Sequence, residues 1–368
     1  MIRIDELYCN TFLPVLQDRP NHGLHWFDPF GSVNFSDLVS LPKVPWGSSA
    51  HMQDPQARHF LFWDQEPLHP ETTAETLSLF CRMYHGQRHL VTSERDSDAV
   101  QQACDTYGFQ SHYYWFHGWA ALDWYRGYDR TFLIVPPDQR QITHTFLMPN
   151  RIVAGRRQHR LILMYNLIRQ GLVHDSNYIS FPAVCPGEGI PVQQAVQELA
   201  SIYPNISQAF SSLTLPRNFE GEQDHPMQSC WLDLFDQGSH SLLYLITETV
   251  AQGRRQHLTE KTFKPICMRM PFVLAGTQHS LRYLRSYGFR TFGDIWDESY
   301  DDEPNDVLRM ERIASLLRSL DELSRAAKQD LFHWCNEIVE HNYRHFYQGA
   351  FENILWQELT DMLEHMGV

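Results

Sequence analysis

The chain has 368 residues, 43% hydrophobic and 13% aromatic, and a formal charge of −14 at neutral pH. That length predicts two domains of ordinary size, and that apolar content excludes a disordered chain. The acidic balance speaks against a large non-specific nucleic-acid footprint but leaves room for a local basic cleft.

No apolar run approaches the ~20 residues needed to span a bilayer, so no membrane partner is expected. The opening MIRIDELYCN carries charges and no apolar core, which predicts that it is not a secretory signal. Seven cysteines (9, 81, 104, 185, 230, 267, 335) are odd in number and lack Cys-x-x-Cys spacing. That pattern fits reduced thiols and a cytoplasmic location better than a disulfide frame or zinc site.

In chain order, residues 1–20 begin with a predicted short strand. Residues 21–58 are rich in Pro, Gly, Ser and Asp and read as loops. His25-Trp26-Phe27-Asp28-Pro29-Phe30 lies among them, suited to stacking on a sugar or base, or to closing a core. His59–Trp63 reads as a strand, with Asp64-Gln65-Glu66-Pro67 at its carboxyl end. Asp64 or Glu66 could take a proton from an acceptor hydroxyl, or could cap the helix expected over residues 70–85. His89–Val91 is a second strand, and residues 97–107 a helix stopped by Gly108. Ser111–Phe116 is strand-like and leads to His117, a rival base or a structural histidine.

Residues 128–144, with Val135-Pro136-Pro137-Asp138, suit an interdomain linker. Thr145–Met148 is the next strand. A basic loop follows, and His159-Arg160 opens a helix running to Arg169. A strand, basic loop and helix in succession suit a diphosphate, because cations and helix N–H groups converge there. Arg151 and Arg160 are therefore phosphate candidates, or members of a solvated basic loop. Tyr178–Phe181 reads as a strand and residues 192–203 as a helix; residues 204–238 resist assignment. Leu242–Ile246 is a buried strand ending at Thr247-Glu248. Thr259 is a plausible N-cap for Glu260-Lys261-Thr262. Residues 271–276 (PFVLAG) form another strand, and residues 278–287 a short helix before Gly288. Amphipathic helices are predicted over 306–323, 326–343 and 351–366. Alternating strands and helices define an α/β fold with parallel sheets, whose ligands bind beyond the strand carboxyl ends.

Glu248, then Thr259-Glu260-Lys261, then Pro271-Phe272-Val273-Leu274-Ala275-Gly276 resemble the donor-binding signature of alpha-1,3-fucosyltransferases. That signature reads Glu-Asn-Ser, a gap, Thr-Glu-Lys, and a strand ending in Gly. Thr249 and Val250 stand where it has Asn-Ser. The longer stretch from Asp64 to Asp301 resembles phage-associated glycosyltransferase-like proteins. It does so in Asp64-Gln65-Glu66-Pro67, His159-Arg160, Thr259-Glu260-Lys261-Thr262 and Gly288-Phe289-Arg290-Thr291-Phe292.

The resemblance implies two Rossmann-like domains facing a cleft, the GT-B arrangement. Residues 1–135 would be the acceptor-side domain and 145–345 the nucleotide-sugar-binding domain. Residues 346–368 would be a helix crossing back to the first. It implies that Glu260 holds ribose hydroxyls, Lys261 a phosphate and Glu248 the nucleotide or donor sugar. The implied reaction is inverting transfer of a sugar from a nucleotide-diphosphate sugar to an acceptor hydroxyl. The acceptor would be a hydroxylated base in phage DNA, in host cytoplasm, or a glycan or small glycoside. Asp297, Glu298 and Asp301 look like a metal cluster. GT-B enzymes bind diphosphate with helix ends and basic side chains, however, so neither metal nor cofactor is expected. The rival classes are a non-catalytic nucleotide- or glycan-binding protein and a nucleotide-sugar hydrolase.

Overall fold

The computed structural model describes residues 3–17, 21–27, 54–186, 189–219 and 230–367. The chain forms two compact units. The first comprises Met1–Asp123, Arg254–His257 and Gly349–Val368; the second comprises Trp124–Gly253 and Leu258–Gln348.

The first unit is built on a parallel sheet in the order β1 (His22–Trp26), β2 (Arg58–Trp63), β3 (Gln87–Thr92), β4 (Phe109–Tyr113). From His59 onward every residue of β2 is buried, as a central strand covered on both faces requires. Leu61, Trp63 and Leu90 pack against Leu77 and Phe80 of helix Pro70–Met83 and Ala99, Val100 and Ala103 of helix Asp98–Tyr107. Each large side chain buried this way contributes about 1.5–3 kcal/mol. Pro70 pre-sets the first turn of one helix; Ser97 Oγ caps the other by accepting from Val100 N. Gly108, at φ 69°, ends that helix in the left-handed region. Helix Ala350–His365 also belongs to this unit: Phe351 packs on Trp115, Trp356 on Trp119, and Glu358 accepts from Trp115 N.

Three sequence expectations fail here. Residues 4–17 are helical, with a π-helical turn at Tyr8–Phe12, and bury Leu7, Tyr8, Phe12 and Leu16. That apolar set is too short and irregular to declare its period. Residues 22–26 are strand β1 and not loop, and His25 is buried beside His59; pairing with β2 overrides a sequence rich in His and Gly. Asp28, Pro29 and Phe30 lie outside the described residues. The strand expected to reach Phe116 stops at Tyr113, and Phe116–Trp124 is a helix. Burial of Phe116 to Leu122 without a gap removes the 3.6-residue period that announces a surface helix.

The second unit is an α/β unit with a parallel sheet in the order β6 (Tyr178–Ile179), β5 (His144–Met148), β7 (Ser241–Thr247), β8 (Phe272–Ala275). All seven residues of β7 are buried. Helix His159–Arg169 follows β5, and helices Asp306–Asp321 and Arg325–Tyr347 are capped by Asn305 and Ser324. No helix among the described residues is long and apolar enough to cross a membrane.

Histidines run across the first sheet. Arg58 Nε lies 3.3 Å from His89 Nε2, and His89 Nδ1 lies 2.9 Å from His112 Nε2. A guanidinium only donates, so His89 accepts at Nε2, keeps its proton on Nδ1 and passes a hydrogen bond to His112. Burial, reinforced by the neighbouring His112 and Arg58 charges, lowers His89 to about 3. Burial and Arg58 lower His112 to about 4, and burial and His59 lower His25 to about 3. In the unfolded chain these imidazoles take up protons below about pH 6.5. Between that value and their folded pKa the unfolded state binds more protons, so stability falls as pH falls. His89→Gln can still accept from Arg58 and donate to His112 but cannot titrate. Urea midpoints measured from pH 7.5 to 4.5 are therefore expected to fall less steeply in His89→Gln than in wild type. Parallel slopes would show that His89 takes up no proton on unfolding.

Candidate functional site

In the second unit β5 and β7 are neighbours, but β6 flanks β5 on one side and β8 flanks β7 on the other. The connections diverge at this switch point, and the strand carboxyl ends beside such a point are where α/β proteins bind ligands. Asn150, just past β5, bridges the point by accepting from Thr247 Oγ1 at 2.7 Å.

Glu248 is the next residue and is fully buried. Its Oε1 accepts from Thr259 N at 3.1 Å and Thr262 Oγ1 at 2.6 Å. Its Oε2 accepts from Thr249 N at 3.1 Å and Thr259 Oγ1 at 2.6 Å. Four donors at favourable distances saturate a carboxylate. Thr259 sits at the N-cap position of the turn Glu260–Thr262, yet its hydroxyl donates to Glu248 and does not cap. Lys261 Nζ, on a side chain 31% exposed, contacts Glu260 Oε1 at 2.8 Å and the hydroxyls of Thr249 and Thr259 at 3.3 Å. Glu248 therefore organises the segment, and Lys261 gives it a partly open positive charge.

Two arginines hold the surrounding carbonyls. Arg160 donates to the carbonyls of Ile152, Thr247 and Glu248, and His159 Nε2 also meets the Glu248 carbonyl. Burial, helped by the nearby Arg157, lowers Arg160 to about 9. Arg309 donates to the carbonyls of Ala251, Gly276 and Glu303 and to Asp306. Arg151 is half-buried after β5, Arg156 is exposed and Arg157 half-buried. Lys264 is buried 3.7 Å from Asp233, and desolvation lowers its pKa.

In the first unit Asp64 follows β2 and is fully buried. Its Oδ2 accepts from Tyr8 OH at 2.9 Å and Tyr114 OH at 2.5 Å. Its Oδ1 has no hydrogen-bond partner among the described residues. Burial raises Asp64 to about 6 against the pull of both phenols, and the charge of His117 acts on it as well. His117 is buried, with its ring edge-on to His257 at 5.1 Å. Glu66 is half-buried in the turn after Asp64. Glu94 is buried and accepts from Leu68 N, Ser97 Oγ and, at 3.1 Å, Arg255. Burial raises its pKa against the opposing effect of Arg255.

The structure thus gathers Glu248, Thr259, Glu260, Lys261 and Arg160 in one unit, and Asp64 with His117 in the other. Asn150, Arg309, Tyr8, Tyr114 and His257 carry no local signal that marks them for a site, and Thr249, Thr262 and His159 stand in the quoted motifs without a role of their own. Thr-x-x-Thr after a strand-end Glu is the one local signal that points to Thr262. Among the described residues, no group of three or more His, Cys, Asp or Glu could hold a metal ion. Glu298 accepts from Phe292 N and Thr291 Oγ1, Asp301 from Leu281 N and Arg282 N, and Asp297 from Ser299. Comparison with protein-family models, curated proteins and solved structures finds no match.

Truncating Glu248 leaves buried donors unsatisfied, each costing about 1–3 kcal/mol. Glu248→Ala is therefore expected to destabilise the protein by about 3 kcal/mol or more in urea unfolding. A loss within ~0.5 kcal/mol, as for an ordinary surface substitution, would contradict the organising role.

Proposed function

We propose that this chain is a metal-independent glycosyltransferase of GT-B type, acting on a nucleotide-diphosphate sugar. The observation that carries the reading is Lys261. Its ammonium is partly open and is held by Thr249, Thr259 and Glu260 in the segment that Glu248 ties down next to a sheet switch point. Arg151, Arg156 and Arg157 precede helix His159–Arg169 and add positive charge on the strand-to-helix segment. A diphosphate suits such a place because its charge grows as the bond to the sugar breaks, and fixed cations stabilise that growth.

Glu248 and Arg160 frame this donor site through contacts within the protein, and Lys261, Arg151 and Glu260 meet the ligand. Asp64 and His117 supply the base that takes the acceptor proton. The acceptor is a hydroxyl on a modified DNA base or on a glycan. The net charge of −14 argues for contacts confined to the reacting group and its nearest neighbours if it is DNA.

The test is a thermal-shift panel of nucleoside diphosphates and nucleotide sugars without added metal, on wild type and Lys261→Ala. A ligand at 100 times its Kd stabilises by ~2.7 kcal/mol. One nucleotide is expected to raise the wild-type melting temperature by several degrees and to leave Lys261→Ala unmoved. Silence across the panel would remove the reading.

A further inference from the structure

We propose that Tyr8 and Tyr114 are positioning residues that clamp Asp64 through one oxygen and leave the other, Oδ1, to take the proton of the acceptor hydroxyl. The inference rests on the transferase reading and decides among Asp64, Glu66 and His117.

The geometry is asymmetric. Both phenols donate to Oδ2, and their own oxygens are 3.0 Å apart. A carboxylate held by two donors on one oxygen cannot rotate without breaking both bonds. Packing fixes the phenols in turn. Tyr8 opens the π-helical turn Tyr8–Phe12, and its ring stands edge-on to Trp26 at 4.0 Å and to Phe62 at 6.3 Å. π-helical turns are rare and are frequently found at functional sites. Tyr114 is fully buried and packs edge-on against Phe12 at 5.3 Å. Oδ1 is buried too and has no hydrogen-bond partner among the described residues. A buried acceptor without a donor is costly to leave unmatched, and a ligand hydroxyl is the kind of group that satisfies it.

The chemistry selects the same residue. Desolvation raises Asp64 to about 6, while the phenol hydrogen bonds hold it down. Without the phenols the carboxyl would titrate higher and be less ionised at neutral pH. With them it is ionised at neutral pH, yet more basic than an exposed carboxylate. Glu66 is half-buried and lacks this enclosure. In the step itself the acceptor O–H bond breaks as the proton forms a bond to Asp64 Oδ1. The oxygen electron pair attacks the anomeric carbon, and the bond from that carbon to the diphosphate breaks with its electron pair leaving on the diphosphate.

The experiment has two readouts on the full chain. The first is the pH titration of the Asp64 carboxyl in protein labelled with ¹³C-aspartate, assigned by loss of the signal in Asp64→Asn. The second is the pH profile of kcat/KM for nucleoside-diphosphate release from the nucleotide sugar that gives the melting shift. The acceptor panel is water, a methyl glycoside and duplex DNA containing a hydroxymethylated base. Tyr8→Phe and Tyr114→Phe are expected to raise the carboxyl titration and to move the acidic limb of the profile upward by the same amount, with KM for the donor unchanged. Asp64→Asn is expected to lower turnover about 100-fold or more, the usual contribution of a general base. A carboxyl titration that ignores both tyrosines overturns the clamp. A carboxyl titration that moves while the acidic limb stays in place overturns Asp64 as the base and leaves the transferase reading intact. Absence of turnover in wild type with every acceptor overturns both. If a single Phe variant fails to fold, the wild-type titration and Asp64→Asn still decide whether the acidic limb belongs to Asp64.

Discussion

The Glu248 carboxylate, buried at the end of β7, receives hydrogen bonds from Thr249, Thr259 and Thr262, and the second unit's candidate site depends on it. Nine residues lie between Thr249 and Thr259 in sequence, and an ordinary loop of that length would be free to move. One acceptor with four donors removes that freedom. The hydroxyls of Thr249 and Thr259 then face Lys261, so a single buried charge fixes the position of a partly open one. Arg160 and Arg309 extend the same logic to the backbone by donating to six carbonyls, those of Ile152, Thr247, Glu248, Ala251, Gly276 and Glu303. Loop carbonyls buried without such donors would be destabilising.

The first unit handles buried polarity differently. Burial keeps His89 and His112 neutral, and the donor-only guanidinium of Arg58 at one end of their row sets the tautomer of each. Asp64 and Glu94 sit at neighbouring strand ends with opposite solutions. Glu94 is neutralised by Arg255 and hydrogen-bonded at both oxygens, which makes it structural. Asp64 has two neutral phenols on one oxygen and no cationic side chain hydrogen-bonded to it among the described residues. A carboxylate meant only to stabilise would be expected to resemble Glu94.

The two units share an architecture without sharing a strand order. The first sheet runs sequentially from β1 to β4, whereas the second places β5 between β6 and β7. Among the described residues the second sheet alone has a topological switch point, and its cationic segments follow the two strands that meet there, β5 and β7. The first has buried polar residues beyond the ends of three successive strands, Asp64 after β2, Glu94 after β3 and His117 after β4.

Sequence by itself determined the α/β class, most strands of both sheets and the later helices. Leu242–Ile246, Phe272–Ala275, residues 306–323 and residues 326–343 carry their period or their unbroken apolar run openly. It also marked Glu248 and Thr259-Glu260-Lys261 as one group, because strand-end carboxylates and helix-start residues leave local signals. Tertiary structure alone decided β1, where pairing with β2 overrides local preference, and the helix Phe116–Trp124, whose complete burial erases its period. It alone made Glu248 an organiser and turned the Arg160 guanidinium inward, since hydrogen-bond saturation depends on which distant donors arrive. It alone brought Tyr8 and Tyr114, 106 residues apart, onto one oxygen of Asp64. A side chain's chemistry is local, but its desolvation and its partners are set by packing, and those decide what it can do.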